Sequence, residues 1–404
     1  MKNNLNKVIY FDNAAALKPD PRVIDYFKKT VSNCYFNQEA IHSAAYDLRS
    51  KIENAEKSLI NLFSDVKIGE FGVKKSNFKV LWGDSGTSVI HTYFSSPFFS
   101  LGNIVTTNLE HASISEGIKN SCNCELKFWQ NSLKYNKNIS ITESLFDINC
   151  LKKLINNETK ALVIHHVHSE LGYIEDLRKI GVAVKEINPK TLVVVDAIQS
   201  VGKISMEKEL LDSGYIDALT ISGYKTGSFG GAAILYRDVD VDCFSSYFQK
   251  LRASKHVISR PNPVETLCLV KSLELLFDEL EVNFNTIKSL RDYLYNELKC
   301  IKLFNGKKVE FLVNKDNCSP YILYFVLPGI QAAVILRMLA AENIYVSSGS
   351  ACEAETNVVS KTLHSLNVPR DYYYGALRIS FSSKTTLEEI KIFIDKLKIS
   401  LENY

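Results

Sequence analysis

The chain lacks the features that mark membrane-spanning, secreted and nucleic-acid-binding proteins. No apolar run approaches the roughly 18 residues of a membrane span. The first residues, MKNNLNKVIYFDNAAA, contain no long apolar core before a small-residue cleavage site, so we expect no signal peptide. The net charge is only +3, and lysine and glutamate are scattered without a basic block. We therefore expect neither a membrane nor nucleic acid among the partners of this protein.

The cysteines lack a pairing pattern. There are nine of them, an odd number, spread singly along the chain without any CxxC motif; CNC at 122–124 is the only close pair. A disulfide framework is therefore not expected, and the reducing cytoplasm is the simplest location.

The chain is long enough for two domains. Its 404 residues, 46% hydrophobic and 23% charged, are typical of a soluble globular protein with more than one core. Residues 43–63 place apolar side chains on one helical stripe. Short apolar runs of strand length then recur at 79–82, 103–109, 161–167, 192–198, 218–222 and 231–236. Most are separated by helix-length segments, which predicts a mainly parallel sheet covered on both faces.

The pattern changes after about residue 258. Two amphipathic helices are predicted at 264–280 and 283–299, followed by strands at 321–327 and 376–382 that alternate with helices at 331–343 and 387–401. We predict a large sheet domain over 14–258, and a smaller α/β domain formed by 1–13 and 259–404.

Residues 217–236, DALTISGYKTGSFGGAAILY, place Lys225 in a glycine-rich loop after a predicted strand. A lysine in a partly dry pocket at a strand end can lose its proton and form a Schiff base. A solvated loop lysine is the ordinary alternative.

A carboxylate ends another predicted strand in VVVDAIQSVG. An isolated Asp196 at the end of an apolar run needs a cation, and the protonated ring nitrogen of pyridoxal phosphate is such a cation. Gln199, three residues later, would lie near the same ring. The alternative for Asp196 is a helix cap.

A phosphate-binding turn is predicted in WGDSGTSVIHTYF, residues 82–94. Backbone N–H groups around Gly86, Thr87 and Ser88 would receive a phosphate at the positive end of a helix, although Ser and Thr cap most helices. His111, after the next predicted strand, could stack on an aromatic cofactor, or could be a histidine with ordinary partners.

Cys352 lies in SSGSAC, residues 347–352, behind five small residues and without apolar neighbours to pack on it. Cysteine is usually a small buried hydrophobe, so this surrounding is unusual. Glycine and serine leave the backbone free to bring a thiol to a substrate and away again.

In this order, the segments resemble the class V, fold-type-I pyridoxal-phosphate enzymes, and within them the cysteine desulfurases. YFDNAAA at 10–16 is similar to that family's opening, and ALRISFSSKTTLEEI at 376–390 to its closing strand and helix. SSGSAC and SGYK are the strongest motifs, and the resemblance runs from about residue 9 to the end. It implies the fold-type-I transferase architecture, a pyridoxal 5'-phosphate cofactor, a homodimer, L-cysteine as substrate and a protein sulfur acceptor.

The resemblance also implies a role for each site residue. Lys225 would hold the cofactor and shuttle a proton, and Cys352 would attack the substrate sulfur. The ring would be held by Asp196, His111 and Gln199, and the phosphate by Gly86, Thr87 and Ser222. Arg378 and Asn13 would clamp the substrate carboxylate. No metal ligand is implied, and HHVH at 165–168 lacks a nearby carboxylate or cysteine set in the sequence.

Three positions differ from the family pattern. Tyr224 replaces the usual histidine before the lysine, although its hydroxyl can still bind phosphate. Ser169 stands where an asparagine normally meets the ring hydroxyl or the substrate. Asn262-Pro263 replaces Gly-Thr in a loop that reaches the partner subunit's phosphate in the family.

These differences keep two other functions open, a class V aminotransferase or lyase and a catalytically quiet scaffold for a sulfur-transfer partner. The sequence does not separate cysteine from selenocysteine as substrate, nor does it name the acceptor.

Overall fold

The computed structural model describes residues 8–65, 78–131, 145–238, 243–254, 262–348 and 360–404. Within these ranges a seven-stranded sheet, a three-stranded sheet and a two-stranded pair are surrounded by helices. The strands are β1 (Ile9–Tyr10), β2 (Phe78–Gly83), β3 (Asn103–Thr107), β4 (Glu125–Trp129), β5 (Thr159–His165), β6 (Leu192–Asp196), β7 (Ala218–Ser222), β8 (Ala232–Arg237), β9 (Ile322–Val326), β10 (Ile344–Tyr345), β11 (Ser347–Ser348) and β12 (Ala376–Ser380).

The described helices lie between these strands along the chain, except for the last, which follows β12. They are α1 (Pro21–Asn33), α2 (Ser43–Phe63), α3 (Gly86–Phe94), α4 (Ala112–Ser121), α5 (Ile148–Leu154), α6 (Leu177–Ile187), α7 (Lys208–Asp212), α8 (Cys243–Ala253), α9 (Pro263–Asp278), α10 (Leu280–Lys299), α11 (Ala332–Ala341), α12 (Lys361–Ser365) and α13 (Leu387–Glu402). None of these helices combines the length and the apolar character that a membrane crossing requires.

The large sheet has the strand order β2-β8-β7-β6-β5-β3-β4. Strand β8 pairs antiparallel with both of its neighbours, and the other pairs are parallel. Six strands therefore run in one direction and only β8 runs in the other, which confirms the predicted mainly parallel sheet. The carboxyl ends of the six strands meet at one edge of the sheet.

Helices cover both faces of this sheet. In β6, Val193 and Val195 belong to one buried cluster, whereas Leu192 and Val194 belong to another. A strand buried on both faces has no polar side to alternate with, so its sequence is a continuous apolar run. This is why the strands were visible in the sequence.

A third buried cluster lies around the small sheet. Strands β11, β12 and β9 pair antiparallel in that order, and β1 pairs in parallel with β10. Side chains from α10, α11 and α13 pack together here, and Phe11 and Ile9 of the N-terminal segment join them. Residues from both ends of the chain thus build one core.

Helix α9 packs with the large sheet, although it follows the predicted boundary at 258. Leu267, Leu269 and Leu273 belong to the cluster that also holds residues of α2 and β6. The domain limits at 13 and 258 stay predictions.

Most predicted elements are confirmed, and several elements of the structure, among them β4, were not predicted. Strand β7 coincides with the apolar run at 218–222, and α2 with the helical stripe at 43–63. Strand β4, with the sequence ELKFW, was not predicted. It lies at the edge of the sheet and buries only Trp129 fully, so it carries no apolar run.

Candidate active site

A cleft of about 350 Å³ lies at the carboxyl edge of the large sheet, and five strand ends lead into it. This is where open α/β sheets place their ligands, because the loops beyond the strand ends converge there. It brings together ten of the twelve predicted site residues: Gly86, Thr87, His111, Ser169, Asp196, Gln199, Ser222, Tyr224, Lys225 and Arg378.

Lys225 enters the cleft from a tight turn after β7. The turn, Gly223–Lys225, is one turn of 3-10 helix. Gly223 is required there, because a Cβ atom would lie 2.0 Å from the carbonyl oxygen of Gly230. The partly buried Lys225 donates from Nζ to the carbonyl oxygen of Ala15. A primary amine is thus held at a defined point of the cleft.

Asp196, the last residue of β6, points a buried carboxylate at the cleft. Its Oδ1 accepts hydrogen bonds from the Thr220 hydroxyl at 2.8 Å and the Ile198 N–H at 3.1 Å. Burial raises the pKa of Asp196, the charge of Glu110 raises it further, and the Thr220 bond opposes both. Both bonds reach Oδ1, so Oδ2 is available to a cationic group in the cleft.

Gln199 presents an acceptor that lacks a partner within the described part of the chain. Its Nε2 donates to the carbonyl oxygen of Ala14 at 3.0 Å, which fixes the side chain. Its Oε1 is buried without a hydrogen bond. A buried polar atom in this condition needs a donor, and a ligand hydroxyl in the cleft would supply one.

The N-terminus of α3 forms another wall of the cleft. Ser85 caps the helix and exchanges hydrogen bonds with Ser88, each N–H lying 3.1 Å from the other hydroxyl. At Gly86 a Cβ atom would lie 2.9 Å from Cδ1 of Ile198 and 3.7 Å from Cβ of Ser222, so it would narrow the space between these elements. This cradle, at the positive end of a helix dipole, suits an anion.

His111 caps the next helix. Its Nδ1 accepts the Ser113 N–H at 3.1 Å and lies 2.8 Å from the Ser113 hydroxyl. Because Nδ1 is an acceptor, the ring proton lies on Nε2. The ring is anchored at the N-terminus of α4 and lines the cleft.

Arg378 crosses the far side of the cleft from β12. One terminal nitrogen donates to the carbonyl oxygen of Ser169 at 2.9 Å, and the other to Asp12 Oδ1 at 2.8 Å. The side chain is 7% exposed, and its Nε has no acceptor among the described residues. A guanidinium in this state is a ready partner for a carboxylate.

The Aminotransferase class-V family model matches residues 9–393. The chain belongs to this family.

The proteins that are similar to this chain in sequence and those that are similar in structure have related names. It is 24% identical to the cysteine desulfurase IscS of Dictyoglomus turgidum over 98% of this chain and 95% of that protein. It is 26% identical to a mitosomal cysteine desulfurase of Trachipleistophora hominis over 95% of this chain and 83% of that protein. A NifS-like protein from Rickettsia africae shares the fold, with a TM-score of 0.77 at 21% identity over 98% of this chain and all of that one.

Two of the twelve predicted site residues are not among the residues that line the cleft. Asn13 is 3% exposed and donates from Nδ2 to the carbonyl oxygens of Tyr10 at 3.0 Å and Ser380 at 2.8 Å. It does not line the cleft, because its amide ties the N-terminal segment to β12 instead. Cys352 lies outside the described residues.

The described residues on either side of the segment 349–359 lie at the cleft. On one side Ser347 of β11 pairs with Arg378. On the other side Lys361 and Thr362 line the cleft. The Glu170 carboxylate accepts hydrogen bonds from Thr362 at 3.0 Å and from Ser360 at 2.9 Å, which holds the start of α12 there.

The segment around Asn262-Pro263 is a helix start. Asn262 caps α9 by accepting the Val264 N–H at 3.0 Å, and Pro263 occupies the first helical position. This is a common capping arrangement, because proline has no N–H and asparagine supplies a side-chain acceptor.

Sequence reasoning missed several polar residues of the cleft. Glu110, His165, His168 and Glu170 all line it. Glu110 precedes His111, and the other three follow or end β5, so their position after strand ends was a usable signal. In the sequence, HHVH at 165–168 is weighed only as a metal-binding run. Strand β5 ends at His165, and the described residues hold no cluster of three or more groups placed to bind a metal ion.

Proposed function

We propose that this protein is a pyridoxal-phosphate-dependent cysteine desulfurase. It converts L-cysteine to L-alanine, takes the sulfur as a persulfide on Cys352, and passes it to a protein acceptor. The observation that carries this proposal is the convergence of Lys225, Asp196 and the N-terminus of α3 on one cleft. The residues on both sides of the segment 349–359, which contains Cys352, flank this cleft.

The cleft fits the cofactor at each of its polar groups. Gly86, Thr87 and Ser222 would hold the phosphate at the start of α3, with the half-exposed Tyr224 beside them. The remaining ring contacts would be made by Asp196 and Gln199. Asp196 Oδ2 would meet the ring nitrogen, and Gln199 Oε1 would accept from the ring hydroxyl.

Pyridoxal 5'-phosphate supplies an electron sink for the electrons released at the substrate α-carbon. Lys225 anchors the cofactor and carries the α-proton. Arg378 binds the substrate carboxylate, with its orientation held by Asp12 and the carbonyl oxygen of Ser169. The short side chain of Ser169 would leave room beside this carboxylate, and His111 would hold the ring of the bound cofactor.

Cys352 is close enough along the chain to act here. It lies four residues after Ser348, and four residues span at most about 14 Å. Ser348 belongs to β11, which pairs with the strand that carries Arg378. The acidic Glu353 and Glu355 disfavour a thiolate, so the help for deprotonation must come from the cleft.

The proposal extends to partners and location. We infer a homodimer with L-cysteine as substrate and a protein as sulfur acceptor, in the cytoplasm. The names of the relatives support the substrate, and the seven free cysteines among the described residues are in keeping with a reducing compartment.

Mass spectrometry of the protein after incubation with L-cysteine tests the reaction. We expect a gain of one sulfur atom on the peptide that contains Cys352, together with alanine formation. Cys352→Ser should abolish both, because no thiol then accepts the sulfur. Cys150→Ser and Cys300→Ser, at exposed positions, are the matched controls and should retain both.

Two other outcomes would replace the proposal. Unchanged turnover in Cys352→Ser would indicate a class-V aminotransferase or lyase, in which the cysteine is incidental. A lysine-bound cofactor gives a visible absorbance band, and Lys225→Ala should remove it. If the wild-type protein lacks this band, the protein is a catalytically quiet scaffold.

A further inference from the structure

His165 lies between two buried carboxylates at the floor of the cleft. Its Nδ1 is 2.7 Å from Oε1 of Glu110, and its Nε2 is 3.8 Å from Oε1 of Glu175. The histidine side chain is 6% exposed and both glutamate side chains are 0% exposed. These three residues are called the Glu-His-Glu cluster below.

Glu110 is held firmly toward the histidine. Its Oε1 also accepts the backbone N–H of His165 at 3.1 Å and the Thr107 hydroxyl at 2.7 Å. Its Oε2 is buried without a hydrogen bond among the described residues. A buried carboxylate of this kind needs a cation nearby, because the charge is no longer solvated by water. His165 is the group placed to supply it.

The charges around His165 favour its protonated form. Burial lowers the pKa of His165, but Glu110, Glu175 and Asp196 raise it by more, and the pKa lies above its ordinary value. The other facing groups are His166 and His168 after β5, whose pKa values burial lowers, so they stay neutral. Two further groups, His111 from α4 and Arg378 from β12, stand across the cleft.

The cluster is next to the carboxylate that the cofactor requires. His165 and Asp196 are direct partners in the pairing of β5 with β6. Without a cation, the negative charge of Glu110 would act on the buried Asp196, and Glu175 would add a second buried carboxylate beside His165. Like charges in such a site force one carboxylate to take a proton.

We propose that His165 is a positioning residue of the cofactor site: as a cation between Glu110 and Glu175, it balances their charge and keeps the carboxylate of Asp196 ionised for the ring nitrogen of a bound pyridine cofactor. The inference rests on the proposed cofactor site and concerns residues that do not touch the substrate.

The protonation state can be measured directly in the wild-type protein without cofactor. In protein labelled with ¹⁵N-histidine, long-range ¹H–¹⁵N spectra distinguish a neutral imidazole from an imidazolium. We expect the His165 ring to be doubly protonated at pH 7.5, and the spectrum of His165→Met identifies its signal. A neutral His165 ring at this pH would overturn the proposal without any need for a variant that binds cofactor.

Charge-balanced variants then test the effect on Asp196. His165→Met removes the cation and keeps an apolar side chain of similar size, and we expect the Kd for pyridoxal phosphate to rise about tenfold, the equivalent of one pKa unit at Asp196. The double variant His165→Met with Glu175→Gln removes one negative charge as well. Its Kd should return to within about threefold of wild type, because the net charge of the cluster is restored.

A purely structural role predicts a different result. If His165 only filled space or donated a hydrogen bond, the loss of the Glu175 charge would not restore cofactor binding. The double variant would then bind the cofactor no better than His165→Met. That result, or a single variant with wild-type affinity, contradicts the proposal. Failure of the wild-type protein to bind pyridoxal phosphate would instead count against the proposed function.

Discussion

At the scale of single residues, three nearby histidines have different surroundings. His165 is flanked by carboxylates, whereas His166 is buried with its Nδ1 unpaired among the described residues. His168 accepts the N–H groups of Glu170 at 3.2 Å and Leu171 at 3.0 Å, so its ring closes the turn that follows β5. The pKa values of these neighbours thus shift in different directions, because the fold gives them different partners.

His166 makes the stability depend on pH. Burial, and then the charge of His165, lowers its pKa from 6.5 to about 4. As pH falls, the unfolded chain binds the proton before the folded one does, so stability is complete above pH 6.5 and is lost as pH falls toward 4. His166→Leu removes this loss, and we expect a relative gain of roughly 2 kcal/mol at pH 5 compared with pH 8.

Urea unfolding at the two pH values measures this gain. Comparing each protein with itself cancels any change in packing that leucine introduces. His364→Leu, at an exposed position, controls for the removal of a histidine. An equal change of stability in wild type and His166→Leu between pH 8 and pH 5 would contradict the prediction.

Asn13 and Arg378 should respond differently to substitution. Asn13→Ala removes two buried hydrogen bonds to backbone carbonyls, so we expect a loss of about 1–3 kcal/mol in unfolding free energy with the KM for cysteine unchanged. Arg378→Lys loses the planar fork that matches a carboxylate, and the KM should rise about tenfold. An increased KM in Asn13→Ala would restore its role in substrate binding.

At the scale of elements, two helix N-termini contribute polar groups to the cleft. Both α3 and α4 begin at its wall, and each start is capped by a side chain, Ser85 for one and His111 for the other. Capping fixes the backbone of the first turn, whose N–H groups have no partner inside the helix. The cap therefore affects both the stability of the helix and the geometry offered to an anion.

Two capping boxes allow these effects to be separated. Ser85→Ala at α3 and Thr386→Ala at α13 should each lower the unfolding free energy by about 1 kcal/mol. Only Ser85→Ala should weaken pyridoxal phosphate binding, by roughly fivefold, because α13 begins away from the cleft. Equal binding in the two variants would argue against the start of α3 as the phosphate site.

Strands could be predicted from the sequence where both of their faces are buried. Strands that are very short or only partly buried were missed. Strands β5, β6 and β7 are buried on both faces and read as apolar runs. Strands β1, β10 and β11 have two residues each, too short to leave a pattern in the sequence. They are stabilised by pairing with strands distant in sequence, such as β1 with β10.

At the scale of the whole molecule, the cleft depends on contacts between distant parts of the chain. Asp12, near the N-terminus, holds Arg378, near the C-terminus. The carbonyl oxygen of Ala15 accepts from Lys225, and that of Ala14 from Gln199. The N-terminal segment thus connects Lys225 and Gln199 on one side of the cleft with Arg378 on the other.

The sequence by itself determined the mainly parallel sheet, the family, and ten of the residues that line the cleft. Buried strands need continuous apolar runs, and the chemistry at their ends needs particular side chains such as Lys225 and Asp196. Only the tertiary structure decided that Asn13 donates to the carbonyl oxygens of Tyr10 and Ser380 and that His165 lies between Glu110 and Glu175. The reason is physical: a polar side chain takes its role from its partners, and these partners come together only when distant segments pack.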